Sequence, residues 1–500
     1  MNDVLILLVT VPIVAIIACL WLSYRAAQTA TLASGLVSFV LVLVLVSAQR
    51  PVGALGFLRV DSLSLVFLLA VSFLYPAVAA YSVGYLSREA RAAAEAGEQA
   101  RAEFSRYSRN FHVGINAFAW AMLCAPAVDG LALLWVAIEV TTVISALLVA
   151  IDATDQATEA AWKYVLIASS GLGLGLLATV FMYYAGADVL GQSFDLAFQP
   201  LLMHAAQLPK TPVRLAFVLA VLGYGTKVGL FPVHTWLPDA HSEAPSPVSA
   251  LLSGALLAVS FYAILRYLQI AQLTLGTRFP RELLIGFGLA SLALAALYLI
   301  DQRDLKRLLA YSSVEHMGIL AIGIGLGSPV ATAGVLLHVL GHAAAKGNAF
   351  MGAGALVQQF GTKDLARLRG GINALPWTGP LLLIAVLALA GMPPFALFRS
   401  EFQIVTGGFA ANPWIAAALV LFLVVAFAGL MASITKVLYR PGGPDEHAAD
   451  NVPESTTASS GWMIVPVIAG VVVLLVLGLH PPQAVVNLLT TGAHELAGAQ

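Results

Sequence analysis

A chain of 500 residues that is 60% hydrophobic and only 10% charged has too little polar surface for a soluble domain, and reads as an all-α polytopic membrane protein. Its net charge of −1 argues against nucleic acid as a partner. Cys19 and Cys124 both sit in apolar runs and cannot build an iron–sulfur or zinc set, and no glycine-rich loop follows a strand pattern, so no cofactor is expected in this chain.

Met1-Asn2-Asp3 lacks the basic start of a cleaved signal, so the first apolar run is expected to remain as a spanning helix. Apolar runs long enough to span give about fourteen helices: 3–22, 29–48, 62–83, 111–127, 130–151, 162–184, 213–232, 247–268, 282–300, 307–326, 330–358, 377–405, 412–438 and 461–480. The bias of Lys and Arg among the loops places both termini outside. Residues 86–110, Ala-rich with mixed charges, read as a short cytoplasmic surface helix. Residues 440–460 read as a disordered loop, and the tail 481–500 is too polar to span and is expected along the outer surface. Four units follow: 1–110, three helices plus a cytoplasmic loop; 111–268 and 269–440, each a five-helix block; and 441–500, a loop, the last helix and the tail.

The stretch from Leu215 to Tyr267 is two apolar helices joined by a polar elbow. Lys227 lies inside the first run, where even the lenient insertion scales charge about 3 kcal/mol for a lysine. Pro232 then removes a backbone donor. A broken helix at that depth is tolerated only where it is buried in protein or lines water, which points to a hydrated ion path. The run 377–405 breaks in the same way at Gly391-Met392-Pro393-Pro394 and carries Glu401. Each broken helix is the fourth of its block, the seventh and the twelfth overall, as in transporters built from inverted repeats.

The buried titratable groups carry the chemistry. Glu139, mid-way along the fifth helix, is a candidate proton site; the alternative is a static pair with a neighbouring cation. A Lys–Glu pair that can open is a proton switch, and Glu139 is the expected partner of Lys227. His338, His342 and Lys346 recur every fourth residue, on one face of the eleventh helix, and imidazoles exchange protons near neutral pH. Metal binding by this His pair lacks a carboxylate or cysteine at ligand spacing. Glu315 and His316 point about 100° apart and need not share a path. Glu401 is the candidate exit group, and Arg399 is expected to pin a carboxylate or shape the exit potential. Nothing resembles a nucleophile or a redox centre, and whether the chain counts as an enzyme stays open.

The segments GTKVGLFPVHTWLPDAHSEAPSPVSALLSG, AIEVTTVISALLVA, EAAWKYVL, QRDLKRLLAYSSVEHMG, HAAAK and ALAGMPPFALFRSEF resemble the antiporter-like proton-channel subunits of respiratory complex I and its relatives, nearest the component F branch of hydrogenase-4 and formate hydrogenlyase complexes. The resemblance implies two inverted five-helix repeats, each a half-channel, joined by a hydrated polar axis. It places the family's fifth-helix glutamate on Glu139, its seventh-helix lysine on Lys227, its eleventh-helix histidines on His338 and His342, an eleventh-helix lysine on Lys346, and its twelfth-helix group on Glu401. Ala258 falls where many relatives carry a central eighth-helix lysine. That leaves the link between halves to His316, His338, Lys346 or water. No long lateral helix follows the last span.

These readings lead to a proton-translocating subunit of a complex I-like or hydrogenase-like assembly in the inner (cytoplasmic) membrane. Its partners would be other membrane subunits and a peripheral redox arm, with iron–sulfur or flavin centres only in those partners, and its cargo protons or Na⁺. The alternatives are a subunit of a multi-subunit cation/proton antiporter and a non-conducting membrane scaffold.

Overall fold

In lipid a single segment can pair all its backbone groups only as a helix, and the apolar runs of this chain take that form throughout. The computed structural model describes residues 1–48, 50–439 and 460–497. Helices α1 (Asn2–Cys19) and α2 (Tyr24–Ser47) lead into a small antiparallel hairpin, β1 (Val52–Ala54) and β2 (Leu58–Val60), with Val52 opposite Val60. Then come α3 (Ser62–Ala96), α4 (Glu98–Ala127), α5 (Leu131–Val149), α6 (Asp155–Leu190) and the short α7 (Phe198–Met203). Helix α8 (Lys210–Val228) is followed by α9 (Trp236–Glu243), and α10 (Ser246–Leu251) joins α11 (Leu257–Leu275) through a π-helical stretch, Leu252–Leu256. The rest are α12 (Arg278–Tyr298), α13 (Leu305–Leu326), α14 (Pro329–Phe360), α15 (Gly371–Ala374), α16 (Thr378–Leu389), α17 (Ala396–Ala411), α18 (Pro413–Tyr439), α19 (Gly461–Leu479) and α20 (Gln483–Leu496).

Side-chain caps set several helix starts. The carboxylate of Asp61 accepts the Ser64 N–H at 2.9 Å, Thr154 accepts that of Ala157 at 3.1 Å, and Asp304 accepts that of Arg307 at 2.9 Å. Helix α8 stops at Gly229 in the left-handed region (φ 85°), just beyond Lys227. The chain then runs irregularly through Pro232 to α9. The second break separates α16 from α17 around Gly391 (φ 65°) and Pro393-Pro394. The Phe231-Pro232 and Pro393-Pro394 peptide bonds are both cis.

Among the described residues ten helices are long and apolar enough to cross a membrane. The other four expected spans are also helical, but polarity or breaks keep them out of that set: α4, α8, α14, and the pair α16 and α17. The centre of the bundle is α10, α11, α13 and α14. The apolar stretch within Ser246–Leu275 is entirely buried, whereas α1, α18 and α19 lie at the rim. Burial explains how α14 can carry two histidines and a lysine: it faces protein, not lipid. Glycine lets neighbouring helices close in. A Cβ on Gly223 of α8 would lie 2.5 Å from the Gly175 nitrogen of α6, and one on Gly288 of α12 would lie 2.8 Å from the Gly318 carbonyl of α13.

One expectation changes. Residues 86–110 form no separate surface helix: α3 and α4 run on past the membrane depth assigned to them and meet at Gly97, whose φ of 110° suits only glycine. The polar tail is an amphipathic helix, α20, docked on α3. The Glu495 carboxylate there accepts the N–H groups of Ser62 at 3.2 Å and Leu63 at 3.0 Å. The loop expected at 440–460 lies outside the described residues except for Ser460.

Candidate functional site: a buried file of titratable groups

In the first block, α5 presents Glu139, Thr142 and Ser145 three residues apart, hence along one face. Lys227 is completely buried. Its ammonium donates to the Thr142 hydroxyl at 2.9 Å and to the Tyr164 hydroxyl, and Tyr164 in turn exchanges a hydrogen bond of 2.7 Å with Ser145. The ring of Tyr164 lies 4.5 Å below the ammonium and that of Trp236 6.0 Å away, adding cation–π attraction. Trp236 opens α9 and donates its indole N–H to the Thr226 carbonyl at 2.7 Å, which ties the far side of the helix break back to the end of α8.

Glu139 and Lys227 do not meet as a contact ion pair. Glu139 accepts from Ser169 of α6 at 3.1 Å, and its second oxygen is buried with no partner. The cause lies in the α5 face: Thr142 sits one turn further along, and the ammonium reaches the hydroxyls first. The carboxylate still lies close enough to act on the lysine electrostatically.

The second block gathers its groups more tightly. His338, His342 and Lys346 are all fully buried along α14. His316 Nδ1 lies 3.1 Å from His338 Nε2, and His338 Nδ1 lies 2.9 Å from the Ser400 hydroxyl of α17. The His342 ring is 5.1 Å from that of His316, and neither of its nitrogens has a partner. Lys346 donates to the Leu309 carbonyl at 2.8 Å and to the Ser312 hydroxyl, both on α13. Glu315 and Glu401 line one small cavity of about 20 Å³ with Ala390 and Leu389 at the end of α16.

Glu315 and His316 thus converge on Glu401 from adjacent faces of α13, although sequence alone gave them no common path. Glu401 packs on Gly391 at the helix break, where any side chain would collide with its carboxylate. The fold also supplies the carboxylate that the sequence lacked at ligand spacing to the histidines, since Glu401 approaches His316 and His338. Arg399 donates to the backbone carbonyls of Gly478 and Leu479 at the end of α19, each at 3.4 Å, and pins no carboxylate among the described residues.

Between the blocks lie groups that sequence reasoning passed over. His241 is fully buried, its ring 5.9 Å from Trp236 on one side and 5.9 Å from Phe350 of α14 on the other. Its Nδ1 is 2.8 Å from the Leu237 carbonyl, and its Nε2 has no partner. Ser249 donates to the His241 carbonyl at 2.8 Å, and Ser253, in the π-helical stretch, is 2.7 Å from Ser313 of α13, next to Ser312, which binds Lys346. Ala258, where a lysine was the reference, is buried and offers no polar group. The run around His241 read only as a polar elbow in sequence, because nothing local reveals that α9 turns back into the bundle.

The sequence matches a family model over residues 128–426, described as NADH:quinone oxidoreductase/Mrp antiporter, TM. A hydrogenase-4 component F homolog of Methylacidiphilum infernorum (isolate V4) is 37% identical over 418 residues, 83% of this chain and 86% of that protein. The fold matches a chain of the membrane-bound sulfane sulfur reductase, an archaeal respiratory membrane complex, with a TM-score of 0.84 at 21% identity, covering 99% of this chain and 98% of that one. It also matches a chain of respiratory complex I from Thermus thermophilus, with a TM-score of 0.79 at 23% identity over 98% of this chain and 99% of that one. The chain belongs to the NADH:quinone oxidoreductase/Mrp antiporter transmembrane family.

Proposed function

We propose that this chain is the proton-translocating membrane subunit of a complex I-like or membrane-bound hydrogenase-like respiratory assembly. The observation that carries the reading is the file of groups from half-buried Glu139 through buried Lys227, His241, Lys346, His316 and His338 to half-buried Glu401, with hydroxyls of Thr142, Tyr164, Ser253, Ser313 and Ser312 in the gaps. Groups of this kind at membrane depth are costly and mark proton routes. A proton held on Lys227 by hydroxyls and ring faces is released when the field of Glu139 weakens. It passes through His241 and intervening water to Lys346, then through the three histidines to Glu401 at the second break. The two broken helices are the fourth members of two inverted five-helix repeats within about fourteen spans, with both termini outside. Electrons stay in partner subunits, which carry the iron–sulfur or flavin centres.

The family description also names the Mrp antiporter, which supports a second reading: a cation/proton antiporter subunit with no redox partner. Purifying the chain with its neighbours from native membranes separates the two. The first reading expects further membrane subunits plus a peripheral arm with iron–sulfur or flavin absorption. A stable complex of antiporter-like subunits lacking any redox centre would contradict it and favour the second.

A further inference from the structure

One ligand atom each from His316, His338 and Glu401 lies within 4.8 Å of the other two. They come from three different helices, α13, α14 and α17, so the convergence is built by the fold and not by local spacing. The separation of 3.1 Å between His316 Nδ1 and His338 Nε2 is near the roughly 3.3 Å expected for two imidazole nitrogens bound to one tetrahedral ion at about 2.0–2.1 Å. His342 adds a third imidazole whose two nitrogens are buried and unpartnered, with its ring 5.1 Å from His316. Two imidazoles and a carboxylate with a further imidazole in reach suit a borderline divalent transition ion and not Mg²⁺ or Ca²⁺, which prefer oxygen donors.

The charge around the cluster also favours a dication. Glu401 supplies one negative charge directly, and Glu315 faces it across the small cavity at the end of α16. Lys346, four residues beyond His342 on α14, has its ammonium held by the Leu309 carbonyl and Ser312. Glu401 is only half-buried, which leaves an approach from the helix break.

We propose that His316, His338 and Glu401 form a binding site for a divalent transition metal of the Zn²⁺ class, and that the bound ion plugs the proton file. Binding replaces the proton shared between His316 and His338, which leaves to solvent as the metal–nitrogen bonds form. Only the plugging half of this inference rests on the proton-path reading; binding does not.

The test is Zn²⁺ titration of the intact purified assembly after chelator stripping, read as zinc bound per chain by equilibrium dialysis. The native protein should bind one equivalent more than its His338→Gln and Glu401→Gln variants, or bind that equivalent at least 10-fold more tightly. His494→Gln, at the exposed end of α20, should retain the native titration. Equal stoichiometry and affinity in the native protein and in whichever of the two site variants assembles would overturn the site. Should neither variant assemble, X-ray absorption at the zinc edge of the native protein decides. Imidazole scattering from at least two histidines supports the site, and an all-oxygen shell overturns it. Zinc that binds at this cluster but leaves proton uptake by vesicles unchanged would overturn the plug and with it the proton path, while the metal site stood.

Discussion

Replacing His338 by alanine should lower proton translocation through this subunit about 10²–10⁴-fold, the usual cost of removing a positioned proton-transfer group. His338 joins α13 to α17: one ring nitrogen faces His316 at 3.1 Å and the other faces the Ser400 hydroxyl at 2.9 Å. Alanine deletes both contacts and leaves His316 with two unpartnered nitrogens, since its Nε2 already has none. His342 cannot simply take over, because neither of its nitrogens contacts a neighbour on α17. Dye-quench measurement of proton uptake by inverted vesicles reads the effect, with subunit content checked by gel. An uptake per electron transferred equal to the native value would remove the histidines from the path.

The largest effect on stability should come from Asp61→Ala. Asp61 pairs with Arg266 at 2.7 Å, and the arginine is only 2% exposed. Arg266 also donates to Tyr262 at 2.9 Å and Gln269 at 3.0 Å, but neither carries a charge. Removing one partner of such a pair strands the other and costs about 3–5 kcal/mol. The same change deletes the cap of α3. Glu495 of α20 sits beside this pair, where burial and the Asp61 carboxylate push its carboxyl above the usual range against the backbone N–H groups it accepts. The tail helix is therefore fastened to the same knot that joins α3 to α11 through Gln269, which donates to the Glu495 carbonyl at 2.9 Å. Thermal unfolding of the detergent-solubilised protein should show a midpoint lowered by several degrees, with α20 cut earlier by protease. A destabilisation under about 1 kcal/mol would mean that Arg266 finds a replacement anion.

Much of this was legible in the sequence, and for a physical reason. A lysine, a proline or a histidine pair inside an apolar run violates the solvent it sits in, so each violation marks a candidate position without any alignment. Lys227, Glu139, His338, His342, Lys346 and Glu401 were all visible in that way, as were the breaks at Pro232 and Pro393-Pro394. What sequence could not give was which groups touch. The i, i+3 face of α5 puts Thr142 ahead of Glu139 on the ammonium, a matter of helix rotation that periodicity does not resolve. His241 escaped because its polar neighbours made it read only as part of an elbow. The approach of Glu401 to His316 and His338 joins residues from three helices, and only the packed bundle brings them together. An arginine two residues from a carboxylate, as Arg399 is from Glu401, points on a helix to a different face.

The most direct measurement is proton uptake per electron transferred in vesicles carrying the assembled complex with Lys227→Ala. Lys227 ties the first block's hydroxyls to the face of Trp236, and through it to His241. The proposed path predicts that uptake through this subunit disappears, so the ratio falls by this subunit's share, while partner redox centres still reduce and oxidise. An unchanged ratio, with the variant present at native stoichiometry, would contradict it.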